Sequence, residues 1–506
     1  MLCIVPEEIV NFRKEEVERF QKLLDQYNFH DSKNEEKSKY YEGKISLDSV
    51  NLGIALPDGL KNLEIGCALG AKTVDVLAAR SMFDGFVGVN GNEVLALDEI
   101  VVNNDLIAEY SKACRDELKY GCTFATLSRG EEGVRIRFHS PRSAAAIWDG
   151  VKGRIECGFA IIDTVPDNST QTWEPSRINY YTDDAVYVLE RTGQTWYSSR
   201  FPQIMGRPLM EALIWNATSD KPFGRSRIKE PIRRLIDGYV RTIANATIGL
   251  EFATSPQKYL LGVTDEQYDT IINQKFKQYV GSILASTNNP ETGEKPTFGQ
   301  LTQGSISPHV EMIRVLATQF SAASGLSVTD TGVVSEANPT SADAVIAQSQ
   351  TLIAMAEQLN VSNGNALRSI ALMATAMDNN VSLDDLSEDQ KDVIAHFKNP
   401  ALPSVASRAD AAIKIASSRE GFSSTDTFLE MIGFDKADIR RIKAQEQRIR
   451  AMALADEAEA ELEEEPEDVF DGITEEDILE LDEEETDEDS EELDNILAQL
   501  QGLTGV

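Results

Sequence analysis

Six cations fall close together in one stretch: Arg225, Arg227, Lys229, Arg233, Arg234 and Arg241, against only two acids, Glu230 and Asp237. In a chain of net charge −36 such a local excess suits phosphates or the acids of a partner. A second stretch, Gly325-Leu326-Ser327-Val328-Thr329-Asp330-Thr331-Gly332-Val333-Val334-Ser335, has no Lys or Arg. It reads as a loop, polar and uncharged or acidic. The residues that bond-making chemistry needs are scarce. The four histidines, His30, His139, His309 and His396, lie far apart, so a zinc site built from helical His pairs is not expected. Five cysteines, Cys3, Cys67, Cys114, Cys122 and Cys157, form no CxxC and read as reduced thiols of a cytosolic compartment. There is no GxxxxGK[ST] or GxGxxG phosphate loop, no HExxH and no GxSxG elbow. Acidic pairs such as Asp384-Asp385 are expected by chance among 84 acids. No catalytic residue, metal or cofactor is therefore expected, and the balance tilts toward a structural or assembly protein.

The 506 residues make about three domains' worth of chain, and 42% are apolar, enough for a large core. The acidity is uneven. Of the 84 acids, 24 lie between Asp456 and Asp494, with no Lys or Arg after Arg450, so −24 of the charge is in the tail and −12 in the rest. The whole-chain charge argues against a basic nucleic-acid wrapper. No run of about 18 apolar residues occurs, so no membrane span is expected. The start, Met1-Leu2-Cys3-Ile4-Val5-Pro6-Glu7-Glu8, lacks a basic n-region and an apolar h-region, so no secretory leader is expected. Without one, the sequon Asn168-Ser169-Thr170 carries no meaning.

The elements that must position these stretches follow from apolar period and turn chemistry. Pro6-Glu7-Glu8 predicts a helix start, with Ile9, Phe12, Val17, Phe20, Leu23, Leu24 and Tyr27 on one face, then a charged loop ending at Tyr40-Tyr41. Asn62–Met82, stopped by Phe83-Asp84-Gly85-Phe86, and Leu106–Tyr120 are predicted helices. Alternation predicts strands at Val134–Phe138, Ile155–Asp163, Arg177–Tyr181, Ala185–Arg191 and Thr195–Ser199, an antiparallel meander. Ile228, Ile232, Leu235, Ile236, Tyr239, Val240 and Ile243 form a helical stripe reaching about Leu250. Short strands at Tyr259–Gly262 and Thr297–Thr302 flank a helix at Asp265–Leu284 and a turn-rich loop, Asn288–Gly293. Pro308 opens a helix to Ser324. A long helix from Ser341 is expected to break near Asn363-Gly364-Asn365 and resume to Met377. Further helices are expected at Ser407–Ser418, Thr425–Met431 and Asp435–Ala460. The class is α+β, mainly helical, with long helices plus a β-meander.

That order, and seven strings in sequence, resemble the portal proteins of tailed bacteriophages, most of all those of long-tailed phages of Gram-positive hosts. The strings are Tyr41-Glu42-Gly43; Val74-Asp75-Val76-Leu77-Ala78-Ala79-Arg80 with Asp84-Gly85-Phe86; Gly206-Arg207-Pro208; Trp215-Asn216; Phe223-Gly224-Arg225-Ser226-Arg227-Ile228; Asn338-Pro339-Thr340-Ser341-Ala342-Asp343-Ala344; and Ala409-Asp410-Ala411-Ala412-Ile413-Lys414. The resemblance covers roughly residues 5–450. It implies a portal fold: a wing at 1–223, stem helices at 224–250 and 307–324, a clip at 251–306, and a tunnel loop at 325–341. A long helix returning to the wing at 342–403, a crown at 404–462 and an acidic tail at 463–506 complete it. The tail is not a general feature of the family.

The resemblance further implies a homo-oligomeric ring of twelve at the capsid vertex of the virion, present in the host cytoplasm during assembly. Such a ring passes double-stranded DNA during packaging and ejection. Its implied partners are the terminase large subunit, the head-completion adaptor, and the scaffolding and major capsid proteins. ATP would be hydrolysed by the partner motor, consistent with the missing phosphate loop. On this template Ser327, Val328, Thr329, Asp330, Thr331, Val333 and Val334 belong to the channel loop, and Gly325 and Gly332 give it conformational freedom. Tyr279, Asn288, Asn289, Glu291 and Lys295 belong to the clip surface that meets partners. The six stem cations are either a basic collar or ion pairs between neighbouring subunits. Helix Asp435–Arg450 carries Lys436, Arg440, Arg441, Lys443, Arg448 and Arg450, either to clasp the acidic run or as a solvated face. The tail reads as disordered, apart from Ile496, Leu497, Leu500 and Leu503, at helical spacing: a docking segment or a frayed end. Two other classes remain open from sequence, a metal-dependent nuclease or hydrolase using dispersed carboxylates, and an acidic adaptor or chaperone.

Overall fold

The computed structural model describes residues 9–45, 65–89, 95–131, 133–167, 172–254, 258–262, 293, 295, 297–300, 305–332, 342–401, 405–419, 421–434 and 436–463. The chain divides into two compact units, Met1–Leu402 and Pro403–Val506. It begins differently from expectation. Ile9–Val10 is a short strand (β1), not the first turn of a helix, and α1 spans Lys14–Glu42. Asn11, at φ 63°, turns the chain between them. Phe12 still stacks edge-on against Phe20 and Tyr187, so it joins the helix's apolar face without being helical. The charged loop expected after Tyr27 is instead the rest of α1. Asp31, Asn34 and Ser38 continue the buried stripe of Phe20, Leu23, Leu24 and Tyr27 at helical spacing. Polar residues on the inward face hid the period from the sequence.

Strands β2 (Lys44–Ile45) and β3 (Ile65–Gly66) pair antiparallel before α2 (Leu69–Ala78), a shorter helix than the sequence predicts. Phe83–Val87 is a strand (β4) rather than a stop. Helices α3 (Leu95–Asn103) and α4 (Leu106–Tyr120) follow. Strands β5 (Cys122–Gly130), β6 (Gly133–His139), β7 (Ala144–Asp149), β8 (Arg154–Asp167), β9 (Thr172–Tyr181), β10 (Ala185–Thr192), β11 (Thr195–Pro202) and β12 (Met210–Ile214) come next. They build a six-stranded sheet in the order β1-β11-β10-β9-β8-β7 and a three-stranded sheet β12-β5-β6. The meander is thus β7 to β11, with β1 added in parallel to its far edge. One face of the larger sheet, through Phe159, Ile178, Tyr180, Tyr187, Leu189 and Trp196, packs on α1 and forms a core of its own. Alternation puts these residues on one side of the pleat, and aromatic edges fill the gap to the helix.

Helix α5 (Glu230–Thr254) leads to β13 (Lys258–Leu261), which pairs antiparallel with β14 (Thr297–Gln300), and α6 (Ser307–Ser324) returns. The helix expected at 265–284 lies outside the described residues. Ile228, Ile232, Ile236, Val240 and Ala244 are all buried, one ridge at i, i+4 spacing. A Cβ on Gly238 would stand 3.3 Å from Leu316 Cδ2, so the missing side chain lets α5 and α6 approach closely. Helix α7 runs unbroken over Ala342–Asn379, against the expected break at Asn363. Asn363 is buried there and its amide donates to Glu117 Oε2 (2.7 Å) and to the Tyr110 hydroxyl (3.0 Å) on α4. A buried partner turns a helix-breaking residue into a helix-packing one. A single turn, α8 (Glu388–Lys391), precedes β15 (Ile394–Phe397), which pairs antiparallel with β4.

The second unit holds α9 (Val405–Ser418), α10 (Asp426–Ile432) and α11 (Lys436–Glu463). Thr425 caps α10 by accepting from Phe428 N, and Asp426 pairs with Lys443 on α11. Among the described residues no helix is long and apolar enough to cross a membrane. Cys67, Cys114, Cys122 and Cys157 are free and buried; Cys3 lies outside the described residues.

Complete burial pushes the Glu117 carboxyl up to about 8. Folded Glu117 therefore holds a proton that the unfolded chain releases, so its contribution to stability is present below the ordinary carboxylate range and is lost as pH rises toward 8. Glu117→Gln, which does not titrate, should gain on the parent as pH rises from 5 to 8. The gap in thermal midpoint should widen by at least about 2 °C. A gap independent of pH would show that Glu117 is already ionised in the fold.

Candidate functional site

The six cations of residues 225–241 do not share one surface. Arg225 is exposed and pairs with Asp220 at 3.5 Å; Lys229 is exposed. Arg233 pairs with Glu36 at 2.9 Å and lies over the Tyr40 ring. Tyr40 in turn donates to Asp237 at 2.7 Å, so this end of α5 is tied to α1 rather than presented outward. Arg234 and Glu230 form an exposed pair on one helix turn, and Arg241 is half-buried. Arg227 is only 7% exposed. The expectation that it belongs to an outward basic surface is corrected: it precedes the first turn of α5, and its direction is set by the backbone of 224–228, not by the helical period.

That backbone is fixed by close packing. Gly224, at φ 69°, lies where a Cβ would stand 2.1 Å from the Trp215 carbonyl oxygen. Arg225 N donates to Trp215 O (3.1 Å) and Arg227 N to Leu118 O (2.9 Å). Ser226 Oγ donates to Lys119 O (2.6 Å) and accepts from Ile228 N (2.9 Å). The Arg227 side chain is thereby aimed inward. Its Nε donates to Thr73 O on α2 (2.6 Å) and its Nη2 to Ser324 O, the last carbonyl of α6 (2.6 Å). Its Nη1 meets Met355 Sδ on α7 (3.4 Å), and the Trp215 ring lies 5.8 Å from the guanidinium carbon. Desolvation lowers its pKa to about 10, leaving it charged at neutral pH.

The segment beyond α6 is a compact turn. Gly325, at φ 73°, caps the helix and donates to Ser321 O. Ser321 Oγ donates to Leu326 O (2.6 Å), and Leu326 is buried. The Asp330 carboxylate accepts from Ser327 N (3.1 Å) and Ser327 Oγ (2.7 Å), closing a 3-10 turn over Thr329–Thr331. Thr329 is exposed, Val328 half-buried and Thr331 buried. Val333 and Val334 lie outside the described residues. The loop has no cation of its own, but Lys72 Nζ on α2 donates to Asp330 O. Sequence reading missed Lys72, since nothing local marks a lysine whose partner is 258 residues away.

Of the expected clip residues only Lys295 is described, and it is exposed; Tyr279, Asn288, Asn289 and Glu291 lie outside, as do Ile496, Leu497, Leu500 and Leu503. Helix α6 leaves Val310, Met312 and Val315 at 46%, 47% and 49% exposure; Met312 and Val315, three residues apart, share a side of the helix and Val310 lies on another. Among the described residues no three His, Cys, Asp or Glu side chains cluster to hold a metal.

A family model described as "Phage portal protein, SPP1 Gp6-like" matches residues 9–451. The portal protein of Mycobacterium phage D29 is 22% identical over 436 residues, covering 82% of this chain and 86% of that protein. That of Mycobacterium phage L5 is 22% identical over 437 residues, covering 82% and 85%. Among solved structures, a chain of the "Neck of native GTA particle computed with C12 symmetry" is 14% identical, with a TM-score of 0.41 over 73% of this chain and 90% of that one. A chain of the "Virion of native gene transfer agent (GTA) particle" is 14% identical, with a TM-score of 0.42 over 77% and 97%.

Gly325→Ala should cost about 1–2 kcal/mol for a left-handed alanine, with the Met355 methyl free to yield. Gly224→Ala should cost more, because the obstacle is a backbone oxygen. Chemical denaturation of the two variants checks the ranking, and equal losses would contradict it.

Proposed function

The chain belongs to the phage portal proteins of the SPP1 Gp6-like family, and on that premise we propose that twelve copies close into the ring through which double-stranded DNA enters and leaves the capsid. Portal proteins are structural, non-enzymatic components of the capsid; they form oligomeric rings and serve DNA packaging. In the proposed arrangement α5 and α6 are the stem and residues 251–306 the clip, where the terminase large subunit and then the head-completion adaptor dock. Residues 325–341 line the bore. Residues 1–223 form the wing with the return of 342–403, and 404–462 the crown; scaffolding and major capsid proteins meet this outer body. The ring is built in the host cytoplasm and ends at the vertex of the virion.

The observation that carries this reading is the apolar surface that α6 leaves uncovered. Two antiparallel helices bury one ridge between them and leave Val310, Met312 and Val315 half in water, Val310 on a different side of the helix from Met312 and Val315. Apolar side chains exposed on separate sides of one helix are covered when neighbours flank it on both, and in a ring the stems of the two adjacent copies do so. The bore gains from the charge distribution too. A loop without cations of its own slides along a duplex instead of binding it, and the net charge of −12 outside the acidic tail disfavours lasting contact with phosphates.

Val310→Asp combined with Val315→Asp should abolish rings while leaving the far-ultraviolet circular dichroism unchanged, because these residues are not part of the core. Negative-stain images and sedimentation velocity read the outcome. Annular particles of normal yield would remove the stem face from the subunit contact.

A further inference from the structure

Helix α2 touches the segment after α6 at two successive residues. Lys72 donates to Asp330 O, inside the turn. Thr73 offers its carbonyl to Arg227 Nε, while Nη2 of the same guanidinium takes Ser324 O, at the start of the segment. Met355 of α7 closes the arrangement. Its sulfur faces Arg227 Nη1, and its methyl lies 2.5 Å from where a Cβ of Gly325 would be. One turn of α2 thus holds both ends of residues 324–330, once directly and once through Arg227.

We propose that Arg227 is a positioning residue: it locks the base of the channel loop to α2, so that the loop changes conformation only together with that part of the wing. The proposal rests on reading 325–341 as the channel loop. The three hydrogen-bond partners of the guanidinium are neutral. A buried cation held this way has no reserve, because loss of one acceptor leaves charge without compensation. Ser324 O is the last carbonyl of a helix, where the dipole favours a cation, and it lies on the helix side of Gly325, so Arg227 fixes the point from which the loop departs. A loop movement that displaces this base either breaks that bond, at the cost of an under-satisfied buried charge, or carries Arg227 and Thr73 with it. Such an arrangement favours two discrete states over gradual yielding.

The test uses assembled rings of the full chain with Arg227→Met, which keeps the length without the charge. Arg227→Lys keeps the charge but cannot reach both carbonyls and the sulfur. Hydrogen exchange is followed by mass spectrometry. Amides of residues 325–332 should exchange about tenfold faster or more in both variants, while those of 232–244 in α5 keep their parental rates. If Arg227→Met gives no rings, the same split is read in Arg227→Lys alone. Unchanged exchange at 325–332, or an equal rise along α5, would overturn the proposal in favour of a purely structural role. DNA packaged by the same rings with the partner motor is the second readout, expected to fall in both variants. A local rise in exchange with packaging unaltered would leave the lock standing and refute the assignment of 325–341 to the bore.

Discussion

A guanidinium removed from water with no acid beside it is tolerable only where several dipoles converge on it. At Arg227 those dipoles come from α2, α6 and α7, with the Trp215 ring alongside. None of these elements can shift alone without raising the energy of the charge. The close backbone contacts at Gly224 and Ser226 exist in turn to aim that side chain inward. A carboxylate nearby would make the site stronger but also forgiving, since an ion pair survives the loss of one further hydrogen bond. Neutral partners make it geometrically strict.

The pair α5 and α6 depends on a different balance. The inner ridge, Ile228 to Ala244, is buried, with α5 packed against α2, β3 and α6, so α5 is anchored along much of its length. Helix α6 is anchored mainly at its C-terminal half, through Leu316, Ala317 and Phe320. The N-terminal half holds the exposed apolar residues. The pair is thus packed where it joins the segment after α6 and leaves apolar side chains exposed toward the β13–β14 end.

How much of this could be read from sequence depended on whether a residue's environment is local. The meander was legible because alternation is local: Tyr187 and Leu189 face the core two residues apart, directly across a ladder from Tyr180 and Ile178. The stem stripe and the α4 boundaries were legible for the same reason. Helix α1 beyond Tyr27 was not, because Asp31, Asn34 and Ser38 carry the inward face with polar side chains. Asn363 looked like a break because its partners, Glu117 and Tyr110, are remote in sequence. Arg227 was visible as a cation, but its burial was not, since it lies before the helix whose period was used to place it. Lys72 gave no signal at all. The family strings found the architecture; the contacts that tie the loop to α2 are long-range and required coordinates.

The unbroken α7 gives those contacts their reach. At 38 residues it is roughly 57 Å long. About a third of the way along, Met355 sits against Arg227 and Gly325. One turn on, Asn360 accepts from Ser81, which shares a hydrogen bond with Tyr110, and Asn363 reaches Tyr110 and Glu117. Ser362 donates to Ile214 O, and Ser369 receives Arg207 and donates to Glu211. A helix broken at Asn363 would let these two groups of contacts move independently. A continuous one makes the polar anchors and the contact at Met355 parts of one rod. Motion at Met355 must then be either absorbed in its own flexible side chain or passed along the helix to a network whose Glu117 is already costly to ionise. The flexible thioether beside a strict guanidinium is consistent with the first.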